Sequence, residues 1–293
     1  MTNRVHNFNL NLDWDLLSLI SNIDRFDATW NTIERKEGQT LKQLKSIATV
    51  RSVGASTRIE GSKMSDKEVE VLLNNIDITK IEDRDSQEVV GYFDTLDLIS
   101  ESYKNIDISE NSIKNLHNIL MEHNKKDEWH KGDYKQHSNA VEATYPDGTK
   151  QIIFQTTDAG FPTQNAMGEL ISWYHEDKTT HPLVKSAIFS YEFVSIHPFQ
   201  DGNGRLSRIL ASLLLLKTGY KWIQYVSFEH EIESRKTEYY SVLRNCQSNR
   251  PNENVDEWIA FFFDSLKNIQ KQLLGKLKVQ GVETKLSPRE KAI

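Results

Sequence analysis

Residues 196–208 are Ile196-His197-Pro198-Phe199-Gln200-Asp201-Gly202-Asn203-Gly204-Arg205-Leu206-Ser207-Arg208. A proline disfavours the α conformation at the residue before it, so the apolar helix that precedes this stretch must end at His197. Gly202 and Gly204 allow backbone conformations and close approaches that other residues do not tolerate. The stretch therefore predicts the end of one helix, a tight loop, and the start of a second helix near Arg205.

The loop and the second helix carry groups that suit a polyphosphate. The backbone N–H groups of Gly202 and Gly204, together with the free N–H groups of the following helix, form an anion-binding nest that the helix dipole reinforces. Arg205 and Arg208 are three positions apart on that helix and add two guanidinium groups. These residues predict a phosphate-binding site.

Two further side chains of the motif supply chemistry. Asp201 offers a hard carboxylate oxygen, the usual ligand for a Mg²⁺ ion that also bridges substrate phosphates. The ordinary pKa of a histidine makes His197 a base near neutral pH. A turn or a solvated helix end would explain each feature alone, but their concatenation favours an active site.

The chain around the motif is predominantly helical. Apolar residues recur three or four positions apart in ten segments, which are 12–22, 41–53, 65–74, 86–103, 109–120, 163–175, 183–196, 205–217, 231–245 and 255–278. Strand signals are confined to 140–156, where turn residues Pro146-Asp147-Gly148 separate two β-prone runs. The expected fold class is all-α, a helical bundle with a small β-hairpin.

Composition limits the classes of protein. Lys and Arg number 36 against 42 Asp and Glu, which gives a formal net charge of −6 and makes wholesale binding to nucleic acid unfavourable. The single cysteine, Cys246, excludes an intramolecular disulfide and a cysteine-based zinc cluster. No apolar run is long enough to predict a membrane span, and we expect a cytoplasmic protein.

The motif resembles that of the Fic-domain family, His-x-Phe-x-Asp/Glu-Gly-Asn-Gly-Arg-x-x-Arg, and every specified position from His197 to Arg208 matches it. The surrounding chain, from about Leu41 to Gln272, is also similar to the family, and the hairpin at 140–156 stands where the family has its target-binding flap. The resemblance implies a Fic-type helical fold and the transfer of AMP from ATP to a Ser, Thr or Tyr hydroxyl of a target protein.

The resemblance also implies roles for the matching positions. His197 would deprotonate the attacking hydroxyl, and Asp201 would hold Mg²⁺ on the α- and β-phosphates of ATP. The phosphates would be bound by Gly202, Asn203, Gly204, Arg205 and Arg208. Downstream, Tyr239, Tyr240, Leu243 and Gln247 are similar to the family's adenine-side helix, although a core stripe would explain Tyr239 and Leu243 equally well.

A second short pattern matches a regulatory feature of the family. Ser56-Thr57-Arg58-Ile59-Glu60-Gly61 fits Ser/Thr-x-x-x-Glu-Gly/Asn, the inhibitory pattern of the subgroup with an N-terminal inhibitory helix. Ser56 and Glu60 are four apart and share a helix face, and Gly61 suits a left-handed helix end. By resemblance, Glu60 pairs with Arg208 and prevents it from holding the γ-phosphate of ATP.

Three regions are expected along the chain. Residues 1–85 would form an N-terminal helical region with the inhibitory helix near 44–61, residues 86–275 the catalytic core, and residues 276–293 a tail that begins a further module. The segment 125–135 is expected to be a solvated loop. His117, His123, His175 and His230 lack the spacing of metal ligands and are expected to be surface or capping residues.

The sequence leaves several alternatives open. The main activity could be the removal of AMP, with Glu60 acting on water, or the nucleotide site could only sense ATP while a C-terminal segment contacts DNA. Self-modification and a homodimer are compatible with the sequence, and the target protein is not readable from it.

Overall fold

The computed structural model describes residues 2–11, 13–36, 38–76, 81–144 and 150–279. Within these ranges the fold is helical, as predicted. The helices are α1 (Trp14–Lys36), α2 (Gly38–Ile59), α3 (Asp66–Asn74), α4 (Arg84–Ser102), α5 (Glu110–Leu120), α6 (Phe161–Glu176), α7 (Pro182–Ile196), α8 (Asn203–Lys217), α9 (Phe228–Ser234), α10 (Lys236–Gln247) and α11 (Asp256–Val279).

Two adjacent helices, α7 and α8, form the centre of the molecule. All residues of α7 from Ser186 to Ile196 are buried. Its side chains divide between two apolar clusters, with Ile188 and Tyr191 in one and Phe189 and Phe193 in the other. Because α7 contributes side chains to both clusters, it lies between them at the centre of the molecule.

The predicted hairpin consists of strands β3 (Ala140–Thr144) and β4 (Lys150–Gln155), which pair antiparallel with an irregularity between Val141 and Glu142. The predicted turn at 146–148 lies outside the described residues. The hairpin lies beside the motif loop, where Val141, Ile153 and Phe154 line the same cavity as His197.

A second hairpin corrects the prediction that strands are confined to 140–156. Strands β1 (Thr2–Val5) and β2 (Phe8–Asn11) pair antiparallel at the N-terminal end. The backbone of Asn9 is bound to Glu253 and Val255, at 3.1 and 3.2 Å, and Phe8 and Leu10 are buried. Because these contacts are 240 or more positions away along the chain, local periodicity does not indicate the hairpin.

The predicted helix at 231–245 is two helices, α9 and α10, and the prediction of one continuous helix is wrong. Arg235 leaves the helical conformation at φ −115° and ψ 27°. Its guanidinium binds Glu238 at 2.7 Å and Asp264 of α11 at 3.1 Å. Apolar spacing continues through the break, so the sequence pattern does not reveal it.

The N-terminal elements pack against the later helices of the chain. Phe8, Trp30 and Leu41 share one apolar cluster with Trp222 and Phe262. The boundary at residue 86 stays a prediction. The expected C-terminal tail lies outside the described residues beyond Val279. No helix in the described ranges is both long and apolar enough to cross a membrane.

Candidate active site

His197 ends helix α7 in a left-handed conformation, with φ 55° and ψ 59°. This is the helix end that Pro198 predicts. Nδ1 of His197 lies 3.1 Å from the carbonyl oxygen of Val194. Because a carbonyl can only accept, Nδ1 carries the proton, and Nε2 is left as the basic nitrogen. Burial lowers the pKa of His197, an effect that the Val194 carbonyl opposes and the charge of Lys135 reinforces.

The loop after His197 is held by its own polar groups. Gly202 has φ 76° and is the residue before α8, in the conformation that glycine accepts most easily. Asn203 binds both the N–H and the carbonyl of Phe199, each at 2.8 Å. The Asn203 side chain is therefore used to hold the loop, and only its backbone N–H remains for a phosphate.

His117 of α5 supports this loop, and the prediction that it is a surface or capping residue is wrong. It is fully buried, and its ring stacks on Phe199 with 3.8 Å between centroids. Nδ1 accepts from the N–H of Gly132 at 2.9 Å, so Nε2 donates to the carbonyl of Asp201 at 3.0 Å. The spacing of His117 from Ile113 and Leu120, four and three positions along the buried face of α5, is a signal that could have found it.

Asp201 and Arg205 lie together at the start of α8. The Asp201 carboxylate, 36% exposed, is 3.4 Å from Arg205 and 3.4 Å from Arg84. Burial would raise the pKa of Asp201, but Arg205 and the N–H of Gly202 outweigh burial and lower it, so the carboxylate is ionised. The buried Arg205 also faces the carboxylate of Glu88 at 3.4 Å.

Arg208 brings the two sequence patterns together across 148 positions. Its Nη2 donates to Glu60 Oε1 at 2.9 Å, and its Nε donates to the hydroxyl of Ser56 at 2.9 Å. Burial would lower the pKa of Arg208, but Glu60 outweighs burial and raises it, so the guanidinium is charged. A Cβ at Gly204 would collide with Oε1 of Glu60, so a larger residue there would require this carboxylate to shift.

The C-terminal turn of α2 presents Glu60 as predicted. The helix ends at Ile59, and Gly61 follows with φ 112°. Arg58 holds this turn through two hydrogen bonds to Glu233 of α9, at 2.6 and 3.0 Å. The sequence pattern indicated the Glu but not its anchor.

The predicted adenine-side residues form one wall of the cavity. Tyr239 and Leu243 are buried and Tyr240 is 37% exposed. Gln247 donates from Nε2 to the hydroxyl of Ser195 at 2.9 Å. Tyr239 also packs on Trp258, with 5.9 Å between centroids, so it belongs to the core as well as to the cavity.

The residues of the motif, Glu60 and the aromatic residues of α10 line one cavity of about 700 Å³. It is lined by His197, Asp201, Gly202, Asn203, Gly204, Arg205, Arg208, Glu60, Tyr239, Tyr240, Leu243 and Gln247. Ser56 does not line the cavity, but its hydroxyl accepts a hydrogen bond from Arg208, which does. The volume and the division into a charged end and an aromatic end suit a nucleotide.

Comparison with known proteins shows which family the motif region is similar to. Residues 107–215 match the model of the Fic/DOC family. The protein adenylyltransferase Fic of Drosophila melanogaster is 27% identical over 186 residues, which cover 61% of this chain and 35% of that protein. The chain therefore spans about a third of the length of the curated relatives it matches.

Two solved structures share the fold. A Fic family protein from Desulfovibrio desulfuricans superposes with a TM-score of 0.74 at 24% identity, covering 90% of this chain and 75% of that one. A Fic-domain signalling protein from Bacteroides thetaiotaomicron gives 0.71 at 20% identity, covering 90% of this chain and 100% of that one. The chain is a helical protein by its fold, with a cavity of about 700 Å³ beside the motif. The part of the chain that matches the Fic/DOC family, residues 107–215, contains the whole motif from His197 to Arg208.

Proposed function

We propose that this protein transfers AMP from ATP to a Ser, Thr or Tyr hydroxyl of a target protein. The observation that carries the proposal is that His197 and Asp201 line one and the same cavity. The arginines of α8 lie at one end of this cavity, and the tyrosines of α10 form its other wall. The name of the relatives, protein adenylyltransferase, supports the same reaction class. Self-modification is one form of this activity.

His197 would act as the base of the transfer. Nε2 takes the proton of the target hydroxyl, whose oxygen attacks the α-phosphorus of ATP. The bond from the α-phosphorus to the bridging oxygen breaks, and pyrophosphate leaves. The backbone N–H groups of the loop and Arg205 would stabilise the charge that develops on the phosphates.

The residues present fit a magnesium ion that is held largely by substrate. Asp201 is an ionised, partly exposed carboxylate at the phosphate end of the cavity. Within the described ranges no cluster of three or more His, Cys, Asp or Glu side chains is arranged to hold a metal. Mg²⁺ is commonly held by one or two carboxylates together with substrate phosphates. Bound there, it would neutralise charge on the leaving pyrophosphate.

Glu60 would hold the enzyme in an inhibited state. Its carboxylate occupies the guanidinium of Arg208, the group that resemblance assigns to the γ-phosphate. An arginine that is bound to a carboxylate cannot also bind a phosphate with the same N–H groups. ATP would therefore bind in its productive pose only after Glu60 leaves.

The test is the labelling of a cell lysate with ATP labelled at the α-phosphate. Glu60→Gly should label a target, or itself, at least about tenfold more than the unaltered protein, since a hydrogen bond to a charged group is worth 1.5–3 kcal/mol. The matched control is Glu122→Gly, since Glu122 also follows a helix and pairs with a cation, Lys131, at 3.2 Å. Labelling no stronger than that of the control would reject the inhibitory role, and no AMP on any hydroxyl would reject the transfer.

Removal of AMP is a second candidate, favoured by one observation. Glu60 and His197 line the same cavity, so a carboxylate is available to orient a water molecule there. Incubation of an AMP-modified target with the unaltered protein separates the two directions. Release of AMP that requires Glu60 would assign the hydrolytic direction to this chain.

A further inference from the structure

Lys135 is a buried lysine, and the prediction that it lies in a solvated loop is wrong. Its side chain is 2% exposed. The ammonium donates three hydrogen bonds, to the carbonyl of Ile196 at 3.1 Å, to Thr156 Oγ1 at 2.9 Å and to Asn139 Oδ1 at 3.0 Å. All three protons of the ammonium have acceptors, so the side chain has one fixed position.

Lys135 binds the backbone on both sides of His197. Its ammonium holds the carbonyl of Ile196, and its own backbone N–H donates to the carbonyl of Pro198 at 2.8 Å. Between these points His197 has φ 55°, a left-handed conformation that is unfavourable for a residue other than glycine. Such a conformation persists only where the surrounding structure determines it, and Lys135 supplies two of the necessary contacts.

The same ammonium reaches the base of the β3–β4 hairpin. Asn139 immediately precedes β3 and Thr156 immediately follows β4. The two are bound to each other, with Thr156 Oγ1 donating to the carbonyl of Asn139 at 2.7 Å. Asn139 also donates to the carbonyl of Phe199 at 3.0 Å. The ammonium of Lys135 therefore links both ends of the hairpin to the backbone beside His197.

We propose that Lys135 is a positioning residue, which holds His197 in its left-handed conformation and ties it to the base of the hairpin. This inference rests on the proposed function of His197 as the base. The hairpin, by its place beside the cavity, would present the target, so Lys135 would fix the distance between the base and the hydroxyl that it must deprotonate.

The charge of Lys135 also acts on His197, in agreement with the contacts on either side of it. The charge of Lys135 lowers the pKa of His197, in the same direction as burial, while Val194, Glu60 and Asp201 act in the opposite direction. Burial lowers the pKa of Lys135 itself to about 8, with Asp158 opposing it. A charged Lys135 thus favours the neutral, basic form of His197 at neutral pH.

The experiment compares Lys135→Met with Lys185→Met, both in the Glu60→Gly protein. Lys185 is a matched control, because its ammonium also binds two carbonyls, those of Tyr174 and Asp177, each at 2.6 Å. It lies at the far end of α7 from His197. The readouts are the NMR titration of the His197 ring and the steady-state constants for labelling.

We expect Lys135→Met to raise the pKa of His197 and to lower kcat about tenfold to a hundredfold, with KM for ATP within about twofold, since Lys135 does not line the cavity. Lys185→Met should change none of these. The same titration and kcat in both variants would overturn the proposal. If Lys135→Met does not fold, Lys135→Gln, which keeps an N–H donor without the charge, must show the same rise in pKa or the proposal fails.

The NMR titration of His197 tests the role of Lys135 even if the proposed transfer of AMP is wrong. If Glu60→Gly transfers no AMP at all, the function is wrong. The His197 titration still decides whether Lys135 holds the ring environment, because it needs no substrate.

Discussion

His197 has the geometry of a base without any substrate present, since Nδ1 is committed to Val194 and Nε2 is left unprotonated. Replacing it with alanine in the Glu60→Gly protein should lower labelling at least about a hundredfold, the usual loss for a general base. Binding of ATP should change little, because the proposed phosphate contacts come from the loop and α8.

The control for His197 is His123→Ala, since His123 binds Asp94 at 2.8 Å and does not line the cavity. Initial labelling rates measure the catalytic loss, and calorimetric titration with ATP measures binding. A His197→Ala protein that labels within a few-fold of its parent would remove His197 from the mechanism.

His117 makes the motif loop sensitive to acid. Burial lowers its pKa to about 4, below its ordinary 6.5. Between these values the unfolded chain binds a proton that the folded chain does not, so stability falls as the pH falls from 6.5 to 4 and is fully present above 6.5. This residue should contribute a slope of about 1.4 kcal/mol per pH unit within the window.

Urea unfolding at intervals between pH 7 and 4 measures that slope. His117→Met, which cannot titrate, should give a shallower dependence than the unaltered protein. His175→Asn serves as the control, since His175 contacts the carbonyl of Ile108 away from the loop. Equal slopes for the unaltered protein and His117→Met would show that His117 does not contribute to the acid sensitivity.

The last turn of α2 is held in place by contacts that are separate from the pair of Glu60 and Arg208. Arg58 binds Glu233 of α9 through two hydrogen bonds and Asp66 of α3 at 2.9 Å. Lys236 of α10 donates to the carbonyl of Ile59 at 2.6 Å. Glu60 therefore faces Arg208 only while α2, α9 and α10 stay together.

Weakening this anchor should partly release inhibition. Glu233→Gln keeps the shape of the side chain but loses the charge that Arg58 binds. We expect labelling to increase by up to about tenfold, less than for Glu60→Gly, since Glu60 itself remains. Labelling assays should include Glu238→Gln, because Glu238 pairs with Arg235 at 2.7 Å on an exposed face. An increase equal to that of the control would mean that the anchor does not govern inhibition.

The stability of the whole molecule should depend on which anion faces Arg208. Arg208 is 2% exposed, and its partner Glu60 is 33% exposed. Removing one partner of a buried pair leaves an uncompensated charge. Glu60→Gly should therefore melt a few degrees below the unaltered protein in the absence of ATP.

ATP should reverse that loss, since its phosphates replace the missing carboxylate. A ligand at 100 times its Kd stabilises the folded state by about 2.7 kcal/mol. The rise in Tm with ATP should be larger for Glu60→Gly than for the unaltered protein, in which Glu60 competes with the ligand. Thermal scans with and without ATP, with Glu122→Gly as the control, measure this difference. Equal rises would contradict the competition.

The sequence by itself determined the elements of the site. The dipeptide His197-Pro198 requires a helix end there, and the adjacent glycines require a tight loop, because these preferences are local properties of the backbone. Spacing of three and four likewise placed Tyr240, Leu243 and Gln247 on one face of a helix. Local chemistry also put Glu60 at the end of α2, where Gly61 allows the helix to stop.

Only the tertiary structure decided which of these elements meet. The pair of Glu60 and Arg208, the burial of His117 beneath the loop and the three bonds of the Lys135 ammonium join residues that are between four and 148 positions apart. Buried polar side chains look like surface ones in a sequence, because burial depends on what packs over them. Long-range partners supply the hydrogen bonds that make such burial favourable, and no local pattern records those partners.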